Sequence, residues 1–189
     1  MTQSKRIPFT REIRIKEAVT TILTEIGEDV TREGLVETPE RVWRFWQEFI
    51  DYNPGNLDVT FESVETDQMV AVSGIRVFSL CEHHLLPFWC DLSIGYVTRE
   101  KVLGLSKIAR IAHKYAHKLQ IQERMVHQIA DEVEQLTGSP DVAVMGSGTH
   151  LCMLMRGVKT EAVMHTSVLR GVFREDVAAR NEFFSLLKQ

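Results

Sequence analysis

Two strand-like stretches of the chain are joined by Cys81-Glu82-His83-His84-Leu85-Leu86-Pro87. Residues 69–80, before this connection, are rich in β-branched side chains, and residues 88–97, after it, alternate in character. Gly95 interrupts that alternation. We therefore predict a β-hairpin whose connection carries one thiol and two imidazoles. Loops that a rigid sheet holds in place are common sites of chemistry.

The hairpin connection has the spacing of a metal site. Cys81 and His84 lie three positions apart, so one tight turn can direct a thiolate and an imidazole at the same ion. His and Cys come together again at His150 and Cys152. Zinc with three protein ligands keeps a fourth position open, as in catalytic rather than structural sites. The alternative is that the cysteines are small core residues and the histidines ordinary polar side chains.

Composition limits the class of protein. The 189 residues suit one domain, with or without a helical appendage, and 44% hydrophobic residues are enough for a core. A net charge of −4 argues against nucleic acid or a membrane as partner, and no apolar run reaches the length of a membrane span. Three cysteines without the spacing of a disulfide framework favour a cytoplasmic protein, and we interpret Cys90 as a packing residue.

The N-terminal part, residues 1–60, is predicted to be a helical segment. Its first helix covers residues 11–28, with Ile15, Val19 and Leu23 at helical spacing. Its second helix begins with Thr38 as N-cap and Pro39 in the first turn, and it ends at residues 53–55. The buried stripe of this second helix is predicted to consist of Val42, Phe45, Trp46 and Phe49.

Residues 61–189 are predicted to form an α+β catalytic domain with an antiparallel sheet. Helices are expected over residues 106–119, from residue 122 to Gly138, and over residues 175–187; further strands are expected over residues 142–145, 149–156 and 163–169. If residues 149–156 are a strand, His150, Cys152 and Arg156 lie on one of its faces.

Basic residues gather on the helix that begins at Ser106. Lys107 and Arg110 lie near its start, and no acidic residue occurs before Leu119. Such a run is usually a solvated face, but a helix N-terminus with free N–H groups can also receive phosphate. Arg41 and Glu123, each near the start of a helix, have equally ordinary explanations at the protein surface.

Several motifs in this order make the chain resemble the GTP cyclohydrolase I family. They are residues 81–88, Gly95-Tyr96, residues 104–107 with Arg110, residues 122–124, His150-x-Cys152 with Arg156-Gly157, and residues 37–41. The resemblance covers residues 11–187. It implies a tunnelling fold (T-fold) whose subunits join into a ring, stacked as a homodecamer with active sites between chains. The implied reaction opens the guanine imidazole ring of GTP hydrolytically. Formate leaves, and 7,8-dihydroneopterin triphosphate forms for pterin, folate or deazapurine biosynthesis.

The matched positions imply roles for particular residues. Zinc would be bound by Cys81, His84 and Cys152, and would activate water. His83 and His150 would transfer protons, while Gln122 and Glu123 would read guanine. A carboxylate at Glu123 can accept hydrogen bonds from N1–H and the exocyclic amine, which adenine does not offer in that arrangement. The triphosphate would be bound by Arg41, Ser106, Lys107, Arg110 and Arg156.

The chain departs from the family pattern at three positions, and two rival readings exist. Met164 and His165 replace small hydroxyl residues, and Arg170 replaces an apolar residue; these changes concern the phosphate side.

One rival is the NADPH-dependent nitrile reductase of 7-deazaguanine biosynthesis, which shares the fold type but needs no zinc pair and no triphosphate cluster. The other is a non-enzymatic, zinc-stabilised binding protein with a closed four-ligand site, in which His83 would be the fourth ligand.

Overall fold

The predicted hairpin is present in the structure, a computed structural model that describes residues 9–58, 60–62, 67–99 and 101–188. The chain divides into two compact units, Met1–Asn53 and Pro54–Gln189. The first unit contains the two predicted N-terminal helices, whereas the sheet belongs to the second. A domain boundary after residue 60 stays a prediction.

Both predicted helices of the first unit are present, with shifted ends. Helix α1 is Phe9–Glu25 and helix α2 is Thr38–Ile50. We predicted Thr38 as the N-cap, but it is the first helical residue. The N-cap is Glu37, whose side chain makes no capping hydrogen bond. Pro39 therefore still lies in the first turn, where its missing N–H has no partner to lose. Asp51 caps the other end, before the predicted stop.

The buried stripe of α2 differs from the predicted one. Trp43, which we did not include, is only 5% exposed, and Phe49 is buried as predicted. Phe45 is 46% exposed, so its predicted burial is wrong. Its ring instead packs at the surface against the rings of Trp46 and Phe49, with centroids 5.5 and 5.9 Å away. Phe45 therefore lies outside the core, and its apolar surface is covered in part by two aromatic neighbours on the same helix.

The second unit contains a five-stranded sheet in the order β5-β2-β3-β6-β7 and a separate pair of strands, β1 and β4. The strands are β1 (Thr60–Glu62), β2 (Met69–Cys81), β3 (Pro87–Val97), β4 (Lys101–Leu103), β5 (Leu119–Gln120), β6 (Val142–His150) and β7 (Met164–Leu169). All neighbours in the large sheet are antiparallel except β5, which pairs in parallel with the end of β2. The predicted α+β class with an antiparallel sheet is confirmed.

Five helices accompany this sheet within the described residues. They are α3 (Leu105–Ala116), α4 (Gln122–Thr137), α5 (Leu151–Leu154), α6 (Val172–Glu175) and α7 (Val177–Leu186). Helices α3 and α4 pack on one face of the sheet, where Cys90 is fully buried in the main core, as predicted. Helix α4 ends at Gly138 in the left-handed conformation, also as predicted. Among the described helices, none combines the length and apolar character needed to cross a bilayer.

A second, smaller core covers the other face of the sheet near Gly95. It comprises Val97, Ala143, Phe173 and Phe183. A Cβ at residue 95 would come within 2.5 Å of the Phe183 ring, so this glycine makes room for α7. Strand β3 continues through Gly95 to Val97, so the predicted strand over residues 88–97 is confirmed.

The largest correction concerns residues 142–156. We predicted two strands, but β6 runs without a break from Val142 to His150, and residues 151–154 form the helical turn α5. Gly146 lies inside strand β6. A Cβ at this position would come within 2.8 Å of the sulfur of Cys90, so the close approach of Cys90 explains why the residue is glycine. The predicted row of His150, Cys152 and Arg156 on one strand face is therefore wrong, since only His150 is in a strand.

Candidate metal centre

The hairpin connection is fixed by its own backbone. Strand β2 ends at Cys81, whose N–H donates to the carbonyl of Leu86 at 2.9 Å. The carbonyl of Cys81 accepts from the N–H of Leu85 at 2.8 Å, and Leu85 has a left-handed backbone with φ 56°. The turn is therefore closed at the residue that supplies the thiol, as the sequence predicted.

This turn gathers one sulfur and two nitrogens. The sulfur of Cys81 lies 3.8 Å from Nδ1 of His83 and 3.7 Å from Nδ1 of His84. All three atoms lie within 4.8 Å of one another; Cys81 is buried and both imidazoles are exposed. A sulfur and a nitrogen bound to one tetrahedral zinc ion are about 3.5 Å apart. The observed spacing fits such an ion with little movement.

Cys152 approaches this group from the element that follows β6. It lies on α5, near enough to Cys81 for the two thiols to influence each other electrostatically, whereas the mutually close donor atoms are those of Cys81, His83 and His84. Burial raises the pKa of the Cys152 thiol, and the neighbouring Cys81 raises it further. A cation between two such sulfurs would reverse both effects, because positive charge stabilises thiolates. The donor set of two thiols and two imidazoles suits zinc chemically.

The two histidines of the loop are nearly equivalent in position. We predicted His84 as the ligand and His83 as a proton carrier, with His83 as a fourth ligand in the alternative of a closed site. Their Nδ1 atoms are almost equally far from Cys81, and the ring centroids are 6.1 Å apart. This spacing is compatible with either histidine as the ligand, so the predicted division of roles stays a prediction.

His150 lies at the end of β6, directly opposite Phe88 in the ladder with β3. Its ring stacks on that of Phe88, with centroids 4.5 Å apart and planes at 11°. Its Nε2 lies 2.9 Å from Oε1 of Gln122. Burial lowers the pKa of His150, while the carboxylate of Glu123 acts in the opposite direction. The lowered pKa favours the neutral imidazole, which can accept a proton.

Gln122 and Glu123 begin α4 but have different surroundings. Gln122 is fully buried, and its amide nitrogen donates to groups on β6 and β7. Glu123 is exposed in the first turn of the helix, and its charge acts on His150. Of the predicted guanine-reading pair, Glu123 alone presents its side chain to solvent.

An ion pair that the sequence did not reveal links the loop to α4. The guanidinium of Arg124 binds the carboxylate of Glu82 through two bonds of 2.6 and 2.9 Å. This contact lowers the pKa of Glu82. Both residues lie inside motifs that we had singled out, but 42 positions separate them, and no local pattern predicts that they meet. The pair ties the metal loop to the turn that carries Glu123.

The predicted triphosphate residues are distributed over several elements. Ser106 and Arg110 are exposed on α3, whereas Lys107 is only 8% exposed. Arg156 follows α5, and its charge partly opposes the rise in the pKa of Cys152 that burial causes, so it lies near that thiol. Arg41 belongs to the first unit and pairs with a glutamate one turn earlier in α2.

The three departures from the family pattern have local partners. Nδ1 of His165 lies 2.8 Å from the hydroxyl of Ser147 on the neighbouring strand. Arg170 forms ion pairs of 2.5 Å with Asp131 and Glu134 of α4. The backbone carbonyl of Met164 accepts a hydrogen bond from the buried side-chain amide of Gln122 on α4. Arg170 thus links the end of β7 to α4, because its guanidinium forms ion pairs with two carboxylates of that helix.

An α+β domain that gathers a thiol and two imidazoles, with a second thiol and a half-buried histidine nearby, has the features of a metal-dependent enzyme. The GTP cyclohydrolase I family model matches residues 15–188 of the chain. The chain therefore belongs to the GTP cyclohydrolase I family. The resemblance seen in the motifs, and with it the class of enzyme, is confirmed.

Individual relatives agree with this membership. GTP cyclohydrolase 1 of Hyperthermus butylicus is 48% identical, over 93% of this chain and 90% of its own length. GTP cyclohydrolase 1 1 of Pseudomonas putida is 44% identical, over 96% and 98%. A crystal structure of apo archaeosine synthase QueF-Like aligns with 55% of this chain and 95% of that chain at 16% identity, with a TM-score of 0.44. That last likeness is too slight to bear on function.

Proposed function

We propose that the chain catalyses the hydrolytic opening of the guanine imidazole ring of GTP, with release of formate and formation of 7,8-dihydroneopterin triphosphate. The observation that carries the proposal is the cluster of Cys81, His83 and His84, with Cys152 near the same thiol and His150 stacked on Phe88. Membership of the GTP cyclohydrolase I family supports the same reaction.

Cys81, His84 and Cys152 are the proposed zinc ligands. This set is supported by the separation of 3.7 Å between the first two donor atoms and by the effect of the Cys81 thiol on the pKa of Cys152. Bound zinc supplies a Lewis acid that activates water at neutral pH. His83, exposed beside the same sulfur, is left to transfer protons, in line with its proposed role in the later ribose steps.

His150 is proposed to protonate N7 of the guanine, which makes C8 electrophilic enough for attack by water. The stacked ring of Phe88 holds the imidazole in one plane. Glu123 is proposed to bind N1–H and the exocyclic amine of the base, because its carboxylate is exposed and within electrostatic reach of His150. The two residues would then contact the same purine from adjacent elements.

Ser106, Lys107, Arg110, Arg156 and Arg41 are proposed to bind the triphosphate. GTP brings about four negative charges to a chain whose net charge is −4, so cations must be concentrated locally. The exposure of Arg110 and Arg156 agrees with this role. His165 and Arg170 are not part of the proposed site.

A ring-shaped homo-oligomer, with a decamer as the expected form, is proposed from the edges of the sheet. Strand β2 has 13 residues, yet β5 pairs only with Leu80 and Cys81. Within the described part of the chain, the outer edge of β2 before these residues has no strand beside it. Proteins cover or pair such edges. A neighbouring subunit would do so, and the odd set of cysteines agrees with assembly in the cytoplasm.

Turnover of GTP without a redox cofactor is the direct test. Purified chain is incubated with GTP or ATP, with and without NADPH, and formate and the fluorescence of the oxidised pterin are measured. We expect both products from GTP alone, unaffected by NADPH, and none from ATP. A requirement for NADPH would favour the nitrile reductase. Binding of zinc without any turnover would favour the binding protein.

A further inference from the structure

The buried amide of Gln122 fits its surroundings in one orientation only. Its nitrogen lies 3.2 Å from the carbonyl oxygen of Gly146, 2.9 Å from that of Met164 and 3.0 Å from the hydroxyl of Thr166. Carbonyl oxygens only accept hydrogen bonds, so the group that faces them must be the NH₂. A reversed amide would set its oxygen against two carbonyls in a site without solvent. The amide oxygen therefore faces His150.

This orientation determines which nitrogen of His150 carries the hydrogen. An amide oxygen can only accept, so Nε2, which lies 2.9 Å from it, must be the N–H of the neutral ring. The lone pair is then on Nδ1. A ring turned by 180° would keep its stacking on Phe88 but lose the bond to Gln122, so this bond opposes the turn. Nδ1 makes no hydrogen bond to any residue that the structure describes.

We infer that Gln122 is a positioning residue that holds His150 in its Nε2–H form and leaves Nδ1 as the nitrogen that exchanges protons with the substrate. This inference rests on the proposed role of His150 in opening the ring of GTP. It assigns Gln122 a role other than reading guanine with its side chain, which was the role implied by the resemblance. The base is then read by Glu123, the next residue of α4.

Gly148 is an independent part of the same arrangement. A Cβ at this position of β6 would clash with Oε1 of Gln122 and come within 2.9 Å of its Cδ. Glycine is thus required at residue 148, because the amide of Gln122 lies against this position of the strand when its oxygen contacts His150. Gly148→Ala should displace the amide oxygen while leaving the chemical identity of residue 122 unchanged.

The test reads the tautomer directly. The zinc-loaded full chain, labelled with ¹⁵N in histidine, is sedimented and studied by solid-state NMR at pH 8.5, where an ordinary histidine with a pKa of about 6.5 is neutral. Loss of signals in His150→Asn assigns residue 150. We expect one Nε2–H tautomer in the wild type and a mixture in Gln122→Met. The matched control is Gln135→Met, at an exposed glutamine of the same helix, which should retain the wild-type spectrum.

Kinetics with GTP provide a second readout. Loss of an orienting partner typically lowers activity by roughly 10–100-fold. We expect Gln122→Met to lower kcat by this factor with little change in KM, because the base contacts remain. Gly148→Ala should give the same mixture of tautomers and the same loss in kcat. If Gln122 reads guanine, the KM for GTP should rise and discrimination against inosine triphosphate should fall.

An Nδ1–H tautomer in the wild type would overturn the inference without any variant. So would a pure Nε2–H form in both Gln122→Met and Gly148→Ala. A wild-type chain with the Nε2–H form that fails to convert GTP would contradict the proposed reaction, not the positioning by Gln122.

Discussion

Replacing Glu123 by glutamine should separate recognition of the base from chemistry. The carboxylate is exposed in the first turn of α4, where the helix dipole favours an anion. In the proposed complex it accepts two hydrogen bonds, from N1–H and from the exocyclic amine. A carboxamide retains one acceptor and turns an N–H donor towards the other guanine donor. Glu123→Gln keeps the size of the side chain, so its effects can be assigned to this change.

The expected loss follows from the number of bonds. A hydrogen bond to a charged group contributes about 1.5–3 kcal/mol, and a buried donor without a partner costs about 1–3 kcal/mol. The two figures describe the loss of the same contact and are not added in full, so the expected loss in kcat/KM for GTP is roughly 2–4 kcal/mol, which is about 30–1,000-fold. Inosine triphosphate lacks the exocyclic amine, so Glu123→Gln should use it almost as well as GTP.

The assay compares initial rates of formate release with both nucleotides. Glu182→Gln, at an exposed glutamate of α7, is the control for loss of an acidic side chain and should behave like the wild type. A folded Glu123→Gln protein with unchanged kcat/KM for GTP would remove Glu123 from the site. A loss of equal size with both nucleotides would show that Glu123 does not contact the exocyclic amine.

Three further perturbations test the metal, the loop and the assembly. Cys152→Ser should lose zinc and activity together, as measured by metal analysis and formate release; full activity without zinc would refute the ligand set. Glu82→Gln should lower thermal stability at pH 7. Because Arg124 lowers the pKa of Glu82, the pair stabilises the fold above the ordinary carboxylate pKa of about 4.3 and loses that effect as pH falls through the lower, folded value. The variant and the wild type should therefore converge in acid, and a difference that persists there would contradict the ion-pair explanation. Oligomers of His150→Ala and of Lys107→Ala should each be nearly inactive, yet regain part of the wild-type turnover when unfolded and reassembled together; mixed oligomers without activity would place both residues in one chain's site.

The sequence was most informative where a motif and a turn coincide. Cys81 and His84 are close along the chain, so their meeting follows from a single tight turn, and the strands on either side have clear alternation. Helix α4 was equally readable, since its apolar period and Gly138 mark both its face and its end. Local patterns determine such features almost completely.

Other parts depend on partners that are far apart in the sequence. Gly146 and Gly148 suggest a break in a strand, but both lie inside β6. They are glycines because the side chains of Cys90 and Gln122 approach them too closely for a Cβ. Cys152 is brought to Cys81 by a helical turn of four residues, too short for any period to appear. The same holds for β1, β4 and β5, which have two or three residues each.

Reconstitution with zinc tests the central claim most directly. Purified chain is stripped with a chelator, dialysed and incubated with GTP, before and after zinc is restored, while formate and pterin triphosphate are measured in the same samples. The proposed function predicts about one zinc ion per chain in the active protein. It also predicts no products from the stripped protein, and equal amounts of formate and pterin triphosphate once zinc returns. Full formate release from the metal-free protein, or none from the zinc-loaded protein, would contradict it.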